Sequence, residues 1–347
     1  MNNYIPRNLL VTGGAGFIGR NFISHLLQHD SAILIINLDK LTYAGSRDSL
    51  QHLPNPERHI FIHGDICDEH LVQQLLQQYN IDTIIHFAAE THVDRSIHTP
   101  QLFLETNIMG TFTLLEAAYR YWKKQSALSP QACRFHHIST DEVYGSLGPN
   151  DPAFTEESAY APNSPYSASK AASDHLVRSY YHTYKLPITI SHCSNNYGPW
   201  QHREKFIPTI ITACLQQQPI PVYGNGSNIR DWIHVMDHCA GIEQILRKGT
   251  LGKKYNLGSN NEQSNLAIVN YITHYFDQHY PQPQPYANLI QYVVDRPGHD
   301  WRYAINSSQA HQELGWQPRY AFHNGIKETI EWFINNPIGK EAKAIHA

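Results

Sequence analysis

The stretch LLVTGGAGFIG, residues 9–19, limits what this chain can fold into more than any other. An apolar run at strand length stops at a glycine. Gly13, Gly16 and Gly19 then lead straight into FIGRNFISHLLQH (17–29), whose apolar spacing is that of an amphipathic helix. Small residues there allow a tight turn and let a helix N-terminus approach a pyrophosphate, whose charge the helix dipole stabilises. A second apolar run, AILIINLD (32–39), ends on Asp39. A carboxylate at a second strand end can accept hydrogen bonds from a ribose 2′-hydroxyl and repels a 2′-phosphate, so the expected cofactor is NAD rather than NADP. No Gly-Lys-Ser/Thr follows the glycines, which excludes an ATP-type phosphate loop.

The same alternation continues. Strand-like runs recur at 59–66, 82–89, 134–140 and 187–193, with helical patterns near 68–79, 101–121 and 167–183. Wholly apolar strands alternating with helices predict a parallel sheet covered on both faces, an α/β Rossmann-type doubly wound fold. After residue 195, Gly, Pro and turn-associated aromatics become frequent, and a last helix is expected near 324–336. This change predicts a smaller C-terminal substrate-binding subdomain. The expected division is 1–195, mainly cofactor-binding, and 196–347, mainly substrate-binding, with later segments free to return to the first unit.

Several function classes drop out on composition. A net charge of −4 with no basic run excludes a nucleic-acid partner or an anionic membrane surface. The apolar runs are strand-sized, too short for a bilayer span, and MNNYIPRNLLVTGG lacks the pattern of a secretory signal. Five cysteines without close pairs suit reduced thiols and a cytoplasmic location. His25/His29 and His234/His238 have helix-face spacing, but no Cys or carboxylate cluster accompanies them, so no metal is expected.

The chemistry should reside in two further stretches. HHISTDEVYG (136–145) ends an apolar strand in Ser139-Thr140 and then sets Asp141 beside Glu142. Two acids sharing a buried site tend to hold one proton between them, which matches a reaction needing an acid and a base at once. Neighbours in a strand point to opposite faces, however. Both acids can meet one substrate only if the chain leaves extended geometry at Asp141. Downstream, YSASK places Tyr166 and Lys170 four apart, on one helix face. A tyrosine base working near neutral pH needs a downward shift of about 3 pKa units, roughly 4 kcal/mol. A neighbouring ammonium and a positive nicotinamide are the expected sources.

With Asn107 and Thr140, these motifs resemble the extended short-chain dehydrogenase/reductase family. NLDKLTYAG (37–45), GDICD (64–68), AAETHVDRSI (88–97), YSASKAASDHLVR (166–178), CSNNYGPW (193–200), IRDWIHVMDH (229–238) and DRPGHD (295–300) are similar to its dTDP-glucose 4,6-dehydratase branch. The Asp-Glu pair is the most discriminating match, since simple epimerases of the superfamily lack it. The resemblance implies that Tyr166 takes the sugar O4 proton while NAD receives the C4 hydride. Thr140 then binds O4, and Lys170 holds the nicotinamide ribose and tunes Tyr166. Glu142 removes the C5 proton, and Asp141 protonates the departing C6 hydroxyl. It further implies cofactor contacts from Gly13, Gly16, Phe17, Ile18, Gly19, Asp39, Lys40, Thr42, Asp65, Ile66, Ala88, Ala89, Thr106, Tyr166, Lys170 and Asn196. Substrate contacts are implied for Thr91, Thr140, Asn195, Lys205, Tyr223, Arg230, Asn265, Arg296 and His299. It implies a homodimer built on a four-helix bundle, from the helices near 101–121 and 167–183. Departures from the family pattern stand at His202-Arg203, at Trp301 and in SNNEQSN (259–265). A UDP-, CDP- or GDP-hexose dehydratase, a decarboxylase or epimerase, and a non-catalytic nucleotide-sugar-binding protein are the competing readings.

Overall fold

The computed structural model describes residues 3–125, 129, 132–295 and 297–336. The first part runs β1 (Asn8–Thr12), α1 (Phe17–His29), β2 (Leu34–Asp39), β3 (His59–His63), α2 (Glu69–Gln78), β4 (Thr83–His86), α3 (Val93–His98), α4 (Pro100–Phe103), α5 (Thr111–Lys124), β5 (Arg134–Thr140), α6 (Pro165–Tyr184) and β6 (Ile188–Cys193). The second runs β7 (Asn195–Tyr197), α7 (Phe206–Gln216), β8 (Ile220–Tyr223), β9 (Ile229–His234), α8 (Val235–Lys248), β10 (Lys254–Leu257), β11 (Glu262–Ser264), α9 (Asn265–His279), β12 (Ile290–Val293), α10 (Ser308–Leu314) and α11 (Phe322–Asn335).

Seven parallel strands form the main sheet in the order β10-β6-β5-β4-β1-β2-β3. This is the expected Rossmann-type α/β fold, with strand order reversing between β1 and β4. Side chains alternate across each strand. Leu9 and Val11 therefore join Phe22, Leu26, Ile242 and Ile245 on the face covered by α1 and α8. Leu10 joins Val72, Leu114 and Val177 on the face covered by α2, α5 and α6. A third core gathers Ile207, Ile211, Trp232, Ile272, Phe276, Ile330 and Phe333, from α7, β9, α9 and α11. The late segments α8 and β10 return to the first layer, β10 pairing with β6 beside the sheet's other early strands. No helix among the described residues is long and apolar enough to cross a membrane.

Local chemistry sets the element ends. Ser164 caps α6 through a reciprocal box with Ser167, and Pro165 takes the first helical turn, where its missing N–H is no loss. The helix expected over 101–121 differs. It is entered through α3 and α4 and carries a π-helical stretch, Leu104–Gly110, before α5 runs on to Lys124. The physical reason is Asn107. Its carbonyl accepts from Thr111 Oγ1 (2.5 Å) and Ser173 Oγ (2.6 Å). Its amide bridges the Glu90 backbone, at 2.8 and 3.1 Å, and Ser169 Oγ, at 2.8 Å. A wide π turn is where such a diversion of backbone bonding is accommodated. The strand expected to reach residue 89 stops at His86, and the chain beyond it forms a cleft wall.

Gly19 packs against the glycine turn itself. A Cβ there would lie 2.4 Å from Gly13 O and 2.9 Å from Gly14 Cα, both backbone atoms. Gly19→Ala is therefore expected to lower stability by about 1–3 kcal/mol. A guanidinium unfolding midpoint equal to the parent's would contradict this.

Candidate active site

One cleft opens at the C-terminal ends of the main strands, at the β1/β4 reversal, where crevices form in sheets of this kind. Every residue expected from the sequence to contact the cofactor lines it: Gly13, Gly16, Phe17, Ile18, Gly19, Asp39, Lys40, Thr42, Asp65, Ile66, Ala88, Ala89, Thr106, Tyr166, Lys170 and Asn196. Gly13 has φ +73°, and a Cβ on it would meet Ala88 N at 2.6 Å, so the turn and the far wall touch through bare backbone. Asp39 is buried at its strand end. Its two oxygens accept from Ala15 N–H and Leu41 N–H, each at 2.8 Å. Burial pushes its pKa up, and these two donors oppose the shift. Lys40 pairs with Asp65 at 2.6 Å across the same rim.

The chemical end depends on the end of β5. Thr140 is still extended, at φ −138° and ψ 153°, but Asp141–Tyr144 is a turn of 3-10 helix. The Thr140 hydroxyl accepts the Glu142 N–H and lies 3.3 Å from Asp141 Oδ1. It is also hydrogen-bonded to Tyr166. The backbone thus leaves strand geometry at the residue where the sequence required it, and both acids line the cleft. Gly145, at φ +93°, ends the turn, and a Cβ there would strike Ala161 O at 2.5 Å.

Burial separates the two acids. Asp141 is 1% exposed, and its Oδ2 is buried without a hydrogen-bond partner. Burial, then the carboxylates of Glu142 and Asp231, push its pKa well above the usual carboxylate range, with Arg230 and Thr140 opposing. The protonated form of Asp141 is therefore favoured, as a general acid requires. Glu142 is half-buried, at the mouth of the same turn. Lys170 is buried, and its ammonium donates to Ile138 O at 2.7 Å. Burial pushes it down to about 8, against Asp174 and Cys193. Tyr166 is raised by burial and by Glu142, while the Thr140 hydrogen bond works the other way. Lys170 lies one helical turn from Tyr166 in the same cleft. Its charge is turned toward the β5 carbonyl.

The substrate residues divide. Thr91, Asn195 and Lys205 line the cleft with Thr140, and Lys205 Nζ donates to Thr91 O at 3.0 Å. Tyr223, Arg230, Asn265 and His299 do not line it. They stand on β8, on β9, at the start of α9 and in the loop before α10. Arg230 is buried. It donates to the carbonyls of Ile229 (2.7 Å), Asp300 (2.9 Å) and Trp301 (3.3 Å) and stacks on Tyr303. Tyr223 meets His299 edge-on at 6.2 Å, and His299 Nδ1 is 2.6 Å from Asp295. The Asn265 N–H donates to Asn228 O. Arg296 lies outside the described residues.

Sequence reasoning passed over Glu90, Cys193, Ser194 and Gln201, which also line the cleft. All four are neighbours of matched motif positions, and that adjacency was the available signal. His202, one of the departures, lines the cleft too and packs edge-on to Tyr43. The histidine pairs serve structure: His25 bonds Glu243 at 2.7 Å, His234 stacks on Tyr320, and His238 bonds Asn196 at 2.9 Å. Among the described residues no cluster of His, Cys, Asp or Glu is arranged to hold a metal.

Residues 10–329 match a family model described as GDP-mannose 4,6 dehydratase. The dTDP-glucose 4,6-dehydratase of Xanthomonas campestris pv. campestris is 51% identical over 329 residues, covering 94% of this chain and 93% of that protein. The dTDP-glucose 4,6-dehydratase 1 of Escherichia coli is 47% identical over 336 residues, with 94% and 93% covered. Among solved structures, the NAD-bound dTDP-glucose 4,6-dehydratase of Streptomyces venezuelae superposes with a TM-score of 0.87 at 42% identity, covering 95% of this chain and 97% of that one.

The raised Asp141 pKa has a stability consequence with a definite sign. Between the unfolded and folded pKa values, folding takes up a proton, so this group's contribution weakens as pH rises, by about 1.4 kcal/mol per unit. Asp141→Asn should therefore gain stability over the parent, with a gain that grows as pH rises above the ordinary carboxylate pKa. Unfolding midpoints over that rise in pH check it, and a pH-independent difference would contradict it.

Proposed function

The chain belongs to the dTDP-glucose 4,6-dehydratase family, and from that premise we propose how its cleft performs the reaction. The activity is the conversion of dTDP-glucose to dTDP-4-keto-6-deoxyglucose, an NAD-dependent hydro-lyase reaction. When bound, NAD accepts hydrogen from C4 and gives it back at C6. The residues present fit that group. The glycine turn abuts Ala88 with no side chain between, Gly16 opens α1 with no capping side chain, and buried Asp39 ends β2. Gly13, Gly16, Phe17, Ile18 and Gly19 would hold its pyrophosphate side, Asp39, Lys40, Thr42, Asp65 and Ile66 its adenosine, and Ala88, Ala89, Thr106 and Asn196 the remainder.

Tyr166 takes the O4 proton, with Thr140 orienting both O4 and the phenol. Tyr166 is raised by burial and by Glu142, so the positive charge that would favour its phenolate would have to come with the bound cofactor. Lys170, anchored on Ile138 O, holds the nicotinamide ribose. The C4 ketone acidifies C5–H, Glu142 removes that proton, and Asp141 gives its own to the C6 hydroxyl as it leaves. The observation carrying this reading is the 3-10 turn after Thr140, which brings the buried Asp141, whose protonated form burial favours, and the Glu142 carboxyl into one cleft with Tyr166. It favours dehydration over epimerisation, which needs no such pair.

Thr91, Asn195 and Lys205 would grip sugar and phosphate. Arg230 and Arg296 suit the diphosphate, and Tyr223, Asn265 and His299 the nucleotide end. Functionally, residues 1–195 together with α8 and β10 make the cofactor part, and most of the remainder after 196 the nucleotide-sugar part. A second copy would pack on the helical face of α3–α6, where Ile97, Leu102, Leu104, Met109, Phe112 and Tyr184 are exposed. A homodimer through a four-helix bundle covers such a face. Five free cysteines, four of them buried, accord with a cytoplasmic location.

Incubated with dTDP-, UDP- and GDP-linked glucose, the protein should yield the alkali-induced absorbance of a 4-keto sugar, with solvent deuterium at C5, from the dTDP substrate. Absence of product from all three would sink the reading. Asp141→Asn should still oxidise C4 but lose water at least about 100-fold more slowly, the scale of a lost general acid; normal turnover would remove its assigned role. Light scattering should give twice the chain mass, and Met109→Asp with Phe112→Asp should give a single chain. A parent that is already monomeric would refute the dimer.

A further inference from the structure

One fully buried carboxylate near the site has no role in the chemistry above. Asp174 lies on α6, one helical turn after Lys170 and two after Tyr166, so all three share a face. Its Oδ2 accepts from Ser139 Oγ at 2.9 Å, from Tyr160 OH at 2.9 Å and from His192 Nε2 at 2.8 Å. Its Oδ1 is 3.3 Å from His137 Nε2. These partners come from β5, from the loop before α6 and from β6. Ser139 directly precedes Thr140, the residue on which the acid turn is built. Through His192 the network reaches Tyr144 OH, at 3.3 Å, at the far end of that same turn.

We infer that Asp174 is a positioning residue: it pins the end of β5 that carries Thr140, Asp141 and Glu142, and it supplies the buried counter-charge to Lys170. Burial alone would favour its protonation. His192 and His137 outweigh that and hold it well below the usual carboxylate range. It is an anion at every pH where the enzyme works. The groups facing Lys170 are Asp174 on its own helix, Cys193 on β6, His137 on β5 and His86 on β4. His86 and His137 are held neutral, chiefly by burial, and burial raises the Cys193 thiol above its ordinary range, so Asp174 is the anion among them. Lys254, over the ring of Tyr160 at 4.6 Å, is the other cation that feels Asp174. An ammonium taken out of water without a counter-charge tends to lose its proton instead.

The inference rests on the dehydratase reading, and the test separates the two. Asp174→Asn keeps size and most hydrogen bonds but removes the charge. In the parent, charged Lys170 is lost as pH rises through its pKa. Without Asp174 that pKa falls, so the alkaline limb of kcat should move to lower pH by about one unit, with kcat falling about fivefold at pH 8 and about twofold at pH 7. KM for dTDP-glucose should stay within about twofold, because Asp174 touches no substrate. An unshifted alkaline limb in a folded, NAD-retaining variant would overturn the charge role while the parent's 4-keto product leaves the dehydratase reading intact. If Asp174→Asn is insoluble, Ser139→Ala decides. It frees the strand end and keeps the charge, so kcat should fall at least about fivefold with the alkaline limb unmoved. A kcat within twofold of the parent would overturn the positioning role.

Discussion

At Thr140 the chain passes from a fully buried parallel strand to a 3-10 turn, and the Thr140 hydroxyl holds that passage together. It accepts the Glu142 N–H, touches the Asp141 carboxyl and bonds to Tyr166 on α6. A strand continued by one residue would send Asp141 and Glu142 to opposite faces. A turn begun one residue earlier would remove Thr140 from Tyr166. The sheet supports this point from both sides, since β5 lies between β4 and β6 and every one of its residues is buried. The glycine turn after β1 brings the cofactor half of the cleft to the same edge.

Burial does most of the electrostatic tuning. It raises Asp141 and Tyr166 and lowers Lys170, and specific neighbours then adjust each. For Asp141 the neighbouring carboxylates add to burial, which favours its protonated form. For Asp174 they overcome it, which yields a permanent anion behind the reacting groups. Two aspartates in one region are thus shifted in opposite directions, one set among carboxylates and one among histidines. The buried histidines His86, His136, His137 and His238 stay neutral because burial disfavours their charged forms. His86, His136 and His238 act as hydrogen-bonding core residues.

Much of this was legible from residue order. The strand-glycine-helix pattern, Asp39 at a second strand end and the YSASK spacing each state a local geometry, and local geometry is what periodicity and small residues encode. All five chemical residues and every cofactor position came together in one cleft. The helix at 101–121 was less legible. Its π turn goes with the Asn107 carbonyl accepting from Thr111 and Ser173 and with its side-chain amide bonding Glu90 and Ser169, residues 17 and 62 positions away. The anchoring of Lys170 was also not legible. Helix spacing places it near Tyr166, but only the packed structure shows its ammonium directed at Ile138 O.

The sequence by itself determined the doubly wound sheet, the preference for NAD and the presence of an acid pair beside a tyrosine and a lysine, because each depends on residue type and short-range spacing. Tertiary structure alone decided how deeply each acid is buried, where the lysine ammonium is directed and what the β5 end is bonded to. Those outcomes depend on desolvation and on partners distant in the chain: Asp231 near Asp141, and His192 and Ser139 against Asp174. No local pattern records them, since they exist only once the strands have packed.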